Sequence, residues 1–163
     1  MSAGEAFTAA VITVSDSAHQ GTRQDLSGPA VAAALRASGY EVARESIVPD
    51  EHEQIASAIV SACRDSRLVV TTGGTGIADR DVTPEATRSV CERLVEGISE
   101  RMRNEGSRKT PLAALSRGVC GVRGTSLVLN LPGSPTAAVD SWHAVAEVVP
   151  HALDLLRGKT AHS

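Results

Sequence analysis

"RLVVTTGGTGIADRDVTPEAT", residues 67–87, holds the pattern that decides the fold. Leu68, Val69 and Val70 begin a short apolar run with β-branched residues, the composition of a strand covered on both faces. The run ends in Gly73, Gly74 and Gly76, passes Asp79 and Asp81, and meets Thr83 and Pro84. Threonine as a cap with proline in the first turn predicts a helix start there. A bare turn between strand and helix needs fewer glycines and acids than this, so the loop has to be read with the rest of the chain.

The same strand-loop-helix order recurs on both sides. Residues 7–14, "FTAAVITV", form a second buried strand, and 15–27 are polar. A helix starts near "SGPA", with Pro29 in its first turn, and stops at Gly39. Residues 40–48 alternate as a strand. After Pro49 and Asp50, Ile55, Ile59 and Ala62 recur at helical spacing. Thr110 and Pro111 repeat the helix-start device. Residues 118–123 and 126–131 read as a hairpin turning at Gly124, and Ser134 with Pro135 caps a last helical segment that Pro150 should break near its middle. Alternation of this kind predicts a three-layer α/β/α domain with a mostly parallel sheet and one antiparallel hairpin strand, a single domain over residues 1–163 with a loose tail after Gly158.

Composition removes several classes of function. At 163 residues and a formal charge of -3, the chain has no global attraction to nucleic acid or anionic membrane. Phe7, Tyr40 and Trp142 are too few for a base-stacking platform. Cys63, Cys91 and Cys120 have neither disulfide nor zinc spacing and read as buried reduced thiols. The first apolar run is too short to span a membrane and lacks a cationic leader, so a cytoplasmic protein is expected. His143 and His151 lack a third ligand-like partner and read as surface or packing residues. Arg101, Arg103, Arg108, Lys109, Arg117 and Arg123, interleaved with Glu100 and Glu105, read mostly as a solvated face.

If the strands are parallel, "SDSAHQGTRQD", "PDE", "TTGGTGIADRD" and "PGSP" all lie on one edge of the sheet, where ligands of such sheets bind. Glycine backbone and capped helix starts suit phosphate. The motif is neither a Walker loop, since no lysine follows, nor a dinucleotide fingerprint, since Asp79 takes the last glycine position. Bare carboxylates repel phosphate, but magnesium bridging Asp50, Asp81 and phosphate oxygens reverses that sign. Plainer roles stay open: the glycines as turn formers, Asp81 as a loop or cap residue, Asp50 as the residue fixing the following helix, Glu85 as a complement to the helix dipole.

"TVSDS" at 13–17, "DLSGP" at 25–29, "VPDE" at 48–51, "TTGGTGIADRDVTPEAT" at 71–87 and "NLPGSP" at 130–135 together resemble the MogA/MoaB family of molybdenum-cofactor proteins, whose domain also forms the G domain of gephyrin and plant Cnx proteins. "RDVTPEAT" and "NLPGSP" resemble the MogA branch more than the MoaB forms. The resemblance implies transfer of AMP from ATP to the phosphate of molybdopterin, with magnesium. It implies Asp50 and Asp81 as catalytic, metal-holding carboxylates. Ser15, Asp16, Thr72, Gly73, Gly74, Thr75, Gly76, Thr83, Pro84, Glu85, Pro132, Gly133 and Ser134 match ligand-binding segments. It further implies a homo-oligomer, a trimer in most branches, and a downstream molybdate-inserting protein of the MoeA type. A pterin-binding scaffold without transfer, or a nucleotide hydrolase of the CinA type, would share the fold.

Overall fold

In the computed structural model, which describes residues 4–159, a six-stranded sheet runs in the order β2-β1-β3-β6-β5-β4. β1 (Thr8–Val14), β2 (Glu41–Val48), β3 (Leu68–Thr72) and β6 (Ser126–Leu131) are parallel; β5 (Cys120–Arg123) is antiparallel to β6 and to the two-residue β4 (Arg93–Leu94). The hairpin at Gly124 is as expected, with φ 58° at its turn. The β4 strand is too short to leave a periodic signal. The loose tail expected after Gly158 falls largely on residues 160–163, which lie outside the described residues.

Strand periodicity sorts the core. Ala9 and Val11 of β1 face α2 (Ser27–Ala37), α5 (Glu96–Ser107), α6 (Pro135–Val145) and α7 (Val149–Leu156), packing with Leu35, Trp142 and Leu153. Ala10, Ile12 and Val14 point the other way, onto Ile55 and Ile59 of α3 (His52–Cys63) and Ala86 of α4 (Thr83–Val90). Helices therefore cover both faces, the expected three layers. Trp142 is fully buried, its Nε1 donating to Ser38 Oγ at 3.0 Å and its ring edge-on to Tyr40.

Several local expectations change. A five-residue helix, α1 (Asp16–Gln20), forms inside the polar stretch after β1, closed by Gly21 at φ 81°. The last helical segment does break, but three residues separate α6 from α7, and Pro150 sits in the first turn of α7, where its missing N–H costs nothing. Thr83 does not cap α4: Val82 is the N-cap, and Thr83 Oγ1 donates instead to Gly73 O at 2.9 Å. Thr110 does cap, accepting from Leu112 N at 3.2 Å, but the element it caps is a 3₁₀ helix, Pro111–Leu115. Cys120 is buried, whereas Cys63 and Cys91 are only half-buried, and desolvation pushes Cys91 and Cys120 up to about 12. His143 and His151 are exposed. Among the described residues no helix is long and apolar enough to cross a membrane.

Candidate functional site

Strand register decides where the polar loops go. Val14 pairs with Val48, Thr13 with Thr72, and Thr72 with Leu131, so β1, β2, β3 and β6 end level with one another. Ser15, Pro49, Gly73 and Pro132 therefore start their loops along a common edge, with Asp50 second in its loop. Asp50 and Asp16 lock two of these loops together by reciprocal bonds: Asp16 N donates to Asp50 Oδ2 at 2.9 Å, and Asp50 N donates to Asp16 Oδ1 at 2.9 Å. Asp50 thus does not cap α3, whose N-cap Glu51 makes no side-chain capping bond.

The loop after β3 is folded against that pair. Gly73, at φ 102°, lies so close to β1 that an added Cβ would sit 2.3 Å from Val14 O. Gly74, at φ 69°, leaves no more room: its Cβ would meet Thr83 Oγ1 at 2.3 Å and Asp50 Oδ1 at 3.2 Å. Both conformations favour glycine. Asp81 closes a local turn, its N–H donating to Ala78 O at 2.9 Å and its Oδ2 accepting from Ala78 N at 3.0 Å. A Cβ on Gly76 would lie 2.8 Å from Asp81 Oδ2. Asp81 does fill the local loop role left open for it, whereas Asp50 ties to Asp16 and does not fix the start of α3; these bonds use only one oxygen of each acid. Among the described residues, Oδ1 of Asp50 and Oδ1 of Asp81 accept no hydrogen bond.

Electrostatics set these acids apart. Burial, then the charges of Asp16 and Asp81, push the Asp50 carboxyl above the ordinary carboxylate range, against the lowering effect of the Asp16 amide. Asp16 goes the other way, held low chiefly by the Arg80 guanidinium, whose Nε and Nη2 reach its two oxygens at 2.6 and 3.0 Å. Arg80 also approaches Glu51 at 3.5 Å, so one side chain links the loops after β1, β2 and β3. Among the described residues no three His, Cys, Asp or Glu side chains form a ready-made metal cage.

The other candidates divide. Gly133 comes to the cradle, its Cβ position 3.4 Å from Gly73 Cα, and Thr72 Oγ1 ties the two loops by donating to Pro132 O at 2.7 Å. Thr75 is buried and Pro84 is buried in the first turn of α4. Ser15 and Ser134 cap α1 and α6, accepting from Ala18 N at 3.2 Å and Ala137 N at 3.4 Å. Glu85 turns away to Arg117, which lowers its carboxyl pKa through two hydrogen bonds. The sequence reading missed Arg80 and Arg117, the latter placed on a solvated face, and missed Asp25, which accepts from Thr13 Oγ1 at 2.8 Å and Gly28 N at 3.0 Å to fix the start of α2. Only the neighbouring aspartate could have hinted at Arg80, and nothing in local spacing points from Arg117 to residues more than 30 positions away.

Beside the glycine loop lies a groove of about 460 Å³, walled by Met102, Leu112, Leu115 and Pro132 and floored by Thr75 and Gly76. A polar cavity of about 420 Å³ adjoins it around Glu85, Arg88, Arg103 and Arg117. The edge thus combines a backbone cradle, acids with free oxygens and an apolar wall.

Residues 10–151 match the family described as "Probable molybdopterin binding domain". The chain is 40% identical to the molybdopterin adenylyltransferase of Helicobacter pylori strain J99, over 91% of this chain and 86% of that protein. Among solved structures, the molybdopterin biosynthesis enzyme MoaB of Thermus thermophilus is 50% identical, with TM-score 0.88 over 94% of this chain and 98% of the other. The molybdopterin biosynthesis Mog protein of Mycobacterium ulcerans is 38% identical, with TM-score 0.87 over 95% and 99%. The family match includes every motif-bearing loop of the strand edge, and the chain belongs to the molybdopterin-binding domain family of molybdenum cofactor biosynthesis.

Proposed function

We propose that the protein is a molybdopterin adenylyltransferase. A phosphate oxygen of molybdopterin forms a bond to the α-phosphorus of ATP, the bond from that phosphorus to the bridging oxygen breaks, and pyrophosphate leaves with the electron pair. The observation that carries this reading is Asp50: a half-buried carboxylate beside the glycine cradle, crowded by two further acids, with one oxygen free. That excess of negative charge suits a site that binds a cation together with phosphates rather than phosphates alone.

Each part of the edge has a task in this chemistry. Backbone N–H groups of Gly74, Thr75 and Gly76 and the start of α6 bind phosphate oxygens, whereas Gly73 N and Thr83 N are spent on Leu131 O and Gly74 O. The pterin lies against the apolar groove. Asp16, neutralised by Arg80, holds Asp50 in orientation. Two carboxylates with free oxygens fit magnesium, which completes its shell with water and substrate phosphates rather than a protein cage; Asp50 and Asp81 would hold it. When bound, the ion supplies positive charge between carboxylate and phosphate. No strong base is required, because a phosphomonoester with a second pKa near about 6 is largely dianionic at neutral pH. Thr72 and Thr83 serve by shaping the cradle, since their hydroxyl protons are already donated to backbone carbonyls, and Ser15 and Ser134 by capping α1 and α6.

The wider setting belongs to the same reading: a single-domain cytoplasmic protein, a homotrimer, passing adenylylated pterin to a molybdate-inserting protein of the MoeA type. Native mass spectrometry after incubation with molybdopterin, ATP and magnesium tests the reaction. Adenylylated pterin with equimolar pyrophosphate is expected. Bound, unmodified pterin would instead indicate a scaffold, and nucleotide turnover without pterin a hydrolase.

A further inference from the structure

Arg117 leads into β5 yet spends its hydrogen bonds on the loop after β3. Its backbone N–H donates to Thr75 O at 2.8 Å, its Nε to Gly76 O at 2.8 Å and its Nη2 to Asp81 O at 2.7 Å. The guanidinium also pairs with Glu85, Nη1 to Oε2 at 2.7 Å and Nη2 to Oε1 at 3.2 Å. One residue thereby grips both ends of the turn from Gly76 to Asp81 and the first turn of α4. Between those ends, residues 77–80 are exposed, and the turn is tied by the Ala78–Asp81 pair and by Arg80 reaching to Asp16 and Glu51.

We propose that Arg117 is a positioning residue whose planar fork fixes the Gly76–Asp81 turn, and with it the Asp81 carboxylate, before any ligand arrives. The acceptors are two carbonyls and a carboxylate set around one guanidinium plane, an arrangement that five coplanar donors match. A lysine ammonium is a point charge and could satisfy Glu85 but not all three. Glu85 becomes the residue that orients the guanidinium, which explains why an acid stands in a phosphate-binding segment without facing the cradle. The turn-fixing role follows from geometry alone; its effect on rate rests on the adenylyl-transfer reading above.

The test compares wild-type protein, Arg117→Lys and Arg117→Gln, all ligand-free, by amide hydrogen exchange, and then by single-turnover adenylylation. Exchange at Ala78 and Asp81 should accelerate by about tenfold or more in both variants, while β3 and β6 amides keep their protection. The transfer rate should fall by on the order of a hundredfold with pterin affinity nearly unchanged, because displacement of about 1 Å is enough for that loss. Unchanged exchange in folded variants would overturn the proposal. So would full recovery of protection and rate in Arg117→Lys, which would show that charge opposite Glu85 suffices. If Arg117→Gln loses β3 protection, Arg117→Lys with Glu85→Gln provides the comparison, and unaltered exchange at Ala78 and Asp81 in both overturns it equally. Absence of transfer in the wild-type protein would remove the reaction, and the exchange data would then decide the positioning role.

Discussion

Gly74 lies where any side chain would run into Thr83 and Asp50, and that closeness explains why residue 74 has to be glycine. A Cβ at Gly74 would enter Thr83 Oγ1 and press on Asp50 Oδ1, and its φ of 69° is strained for any other residue. Gly74→Ala should cost about 1–3 kcal/mol of stability and weaken phosphate-ligand binding; urea unfolding and calorimetry with pyrophosphate would read the two effects. Asp50 makes the opposite prediction. Its carboxyl titrates above the ordinary range in the folded protein, so ionisation works against folding above that pKa, and the cost vanishes as pH falls through it. Ligand-free Asp50→Asn should therefore melt higher at neutral pH, with the gap closing in acid. Thermal melts across pH check this, and an unchanged or lower Tm at neutral pH contradicts it. Asp50 and Asp81 could be read as candidates because acids on an edge suited to phosphate are unusual, whereas Arg80 and Arg117 act on residues brought near only by the fold.

The strands were legible because burial leaves a β-branched run, as in β1 and β3, or an alternation, as in β2, whose residues are exposed and half-buried by turns. The helix starts were legible less reliably. Thr110 and Ser134 cap as their sequences suggest, but Thr83 has its hydroxyl drawn to Gly73 O, a tertiary demand that overrides the local one. β4 and α1 are too short to show a period. Asn130, quoted in the "NLPGSP" motif, turns out to be a buried junction between elements. Its Nδ2 donates to Thr71 Oγ1 of β3 and Thr87 Oγ1 of α4, each at 3.0 Å, and its Oδ1 accepts from Val119 N at 3.1 Å. Three such bonds at the usual net value make Asn130→Ala destabilising by about 2–4 kcal/mol. The check is a lower urea midpoint at unchanged m-value.

Taken whole, the chain places four strand ends level and lets the loops that follow β1, β2, β3 and β6 open on one side, so the site follows from topology before any side chain is considered. That much could be argued from alternation of strand and helix. The oxygens left free on Asp50 and Asp81 could not, because they depend on the reciprocal Asp16–Asp50 bonds and on the closed Ala78–Asp81 turn. Those two oxygens carry the functional reading. Asparagine keeps their size and accepting capacity but removes the charge, so Asp50→Asn and Asp81→Asn separate loop shape from catalysis. Single-turnover adenylylation of molybdopterin, run across a magnesium titration with pterin affinity measured in parallel, should show affinity retained, transfer slowed by on the order of a hundredfold or more in each variant, and a raised magnesium requirement. Near-normal transfer in both variants, with wild-type magnesium dependence, would contradict the role assigned to the two carboxylates.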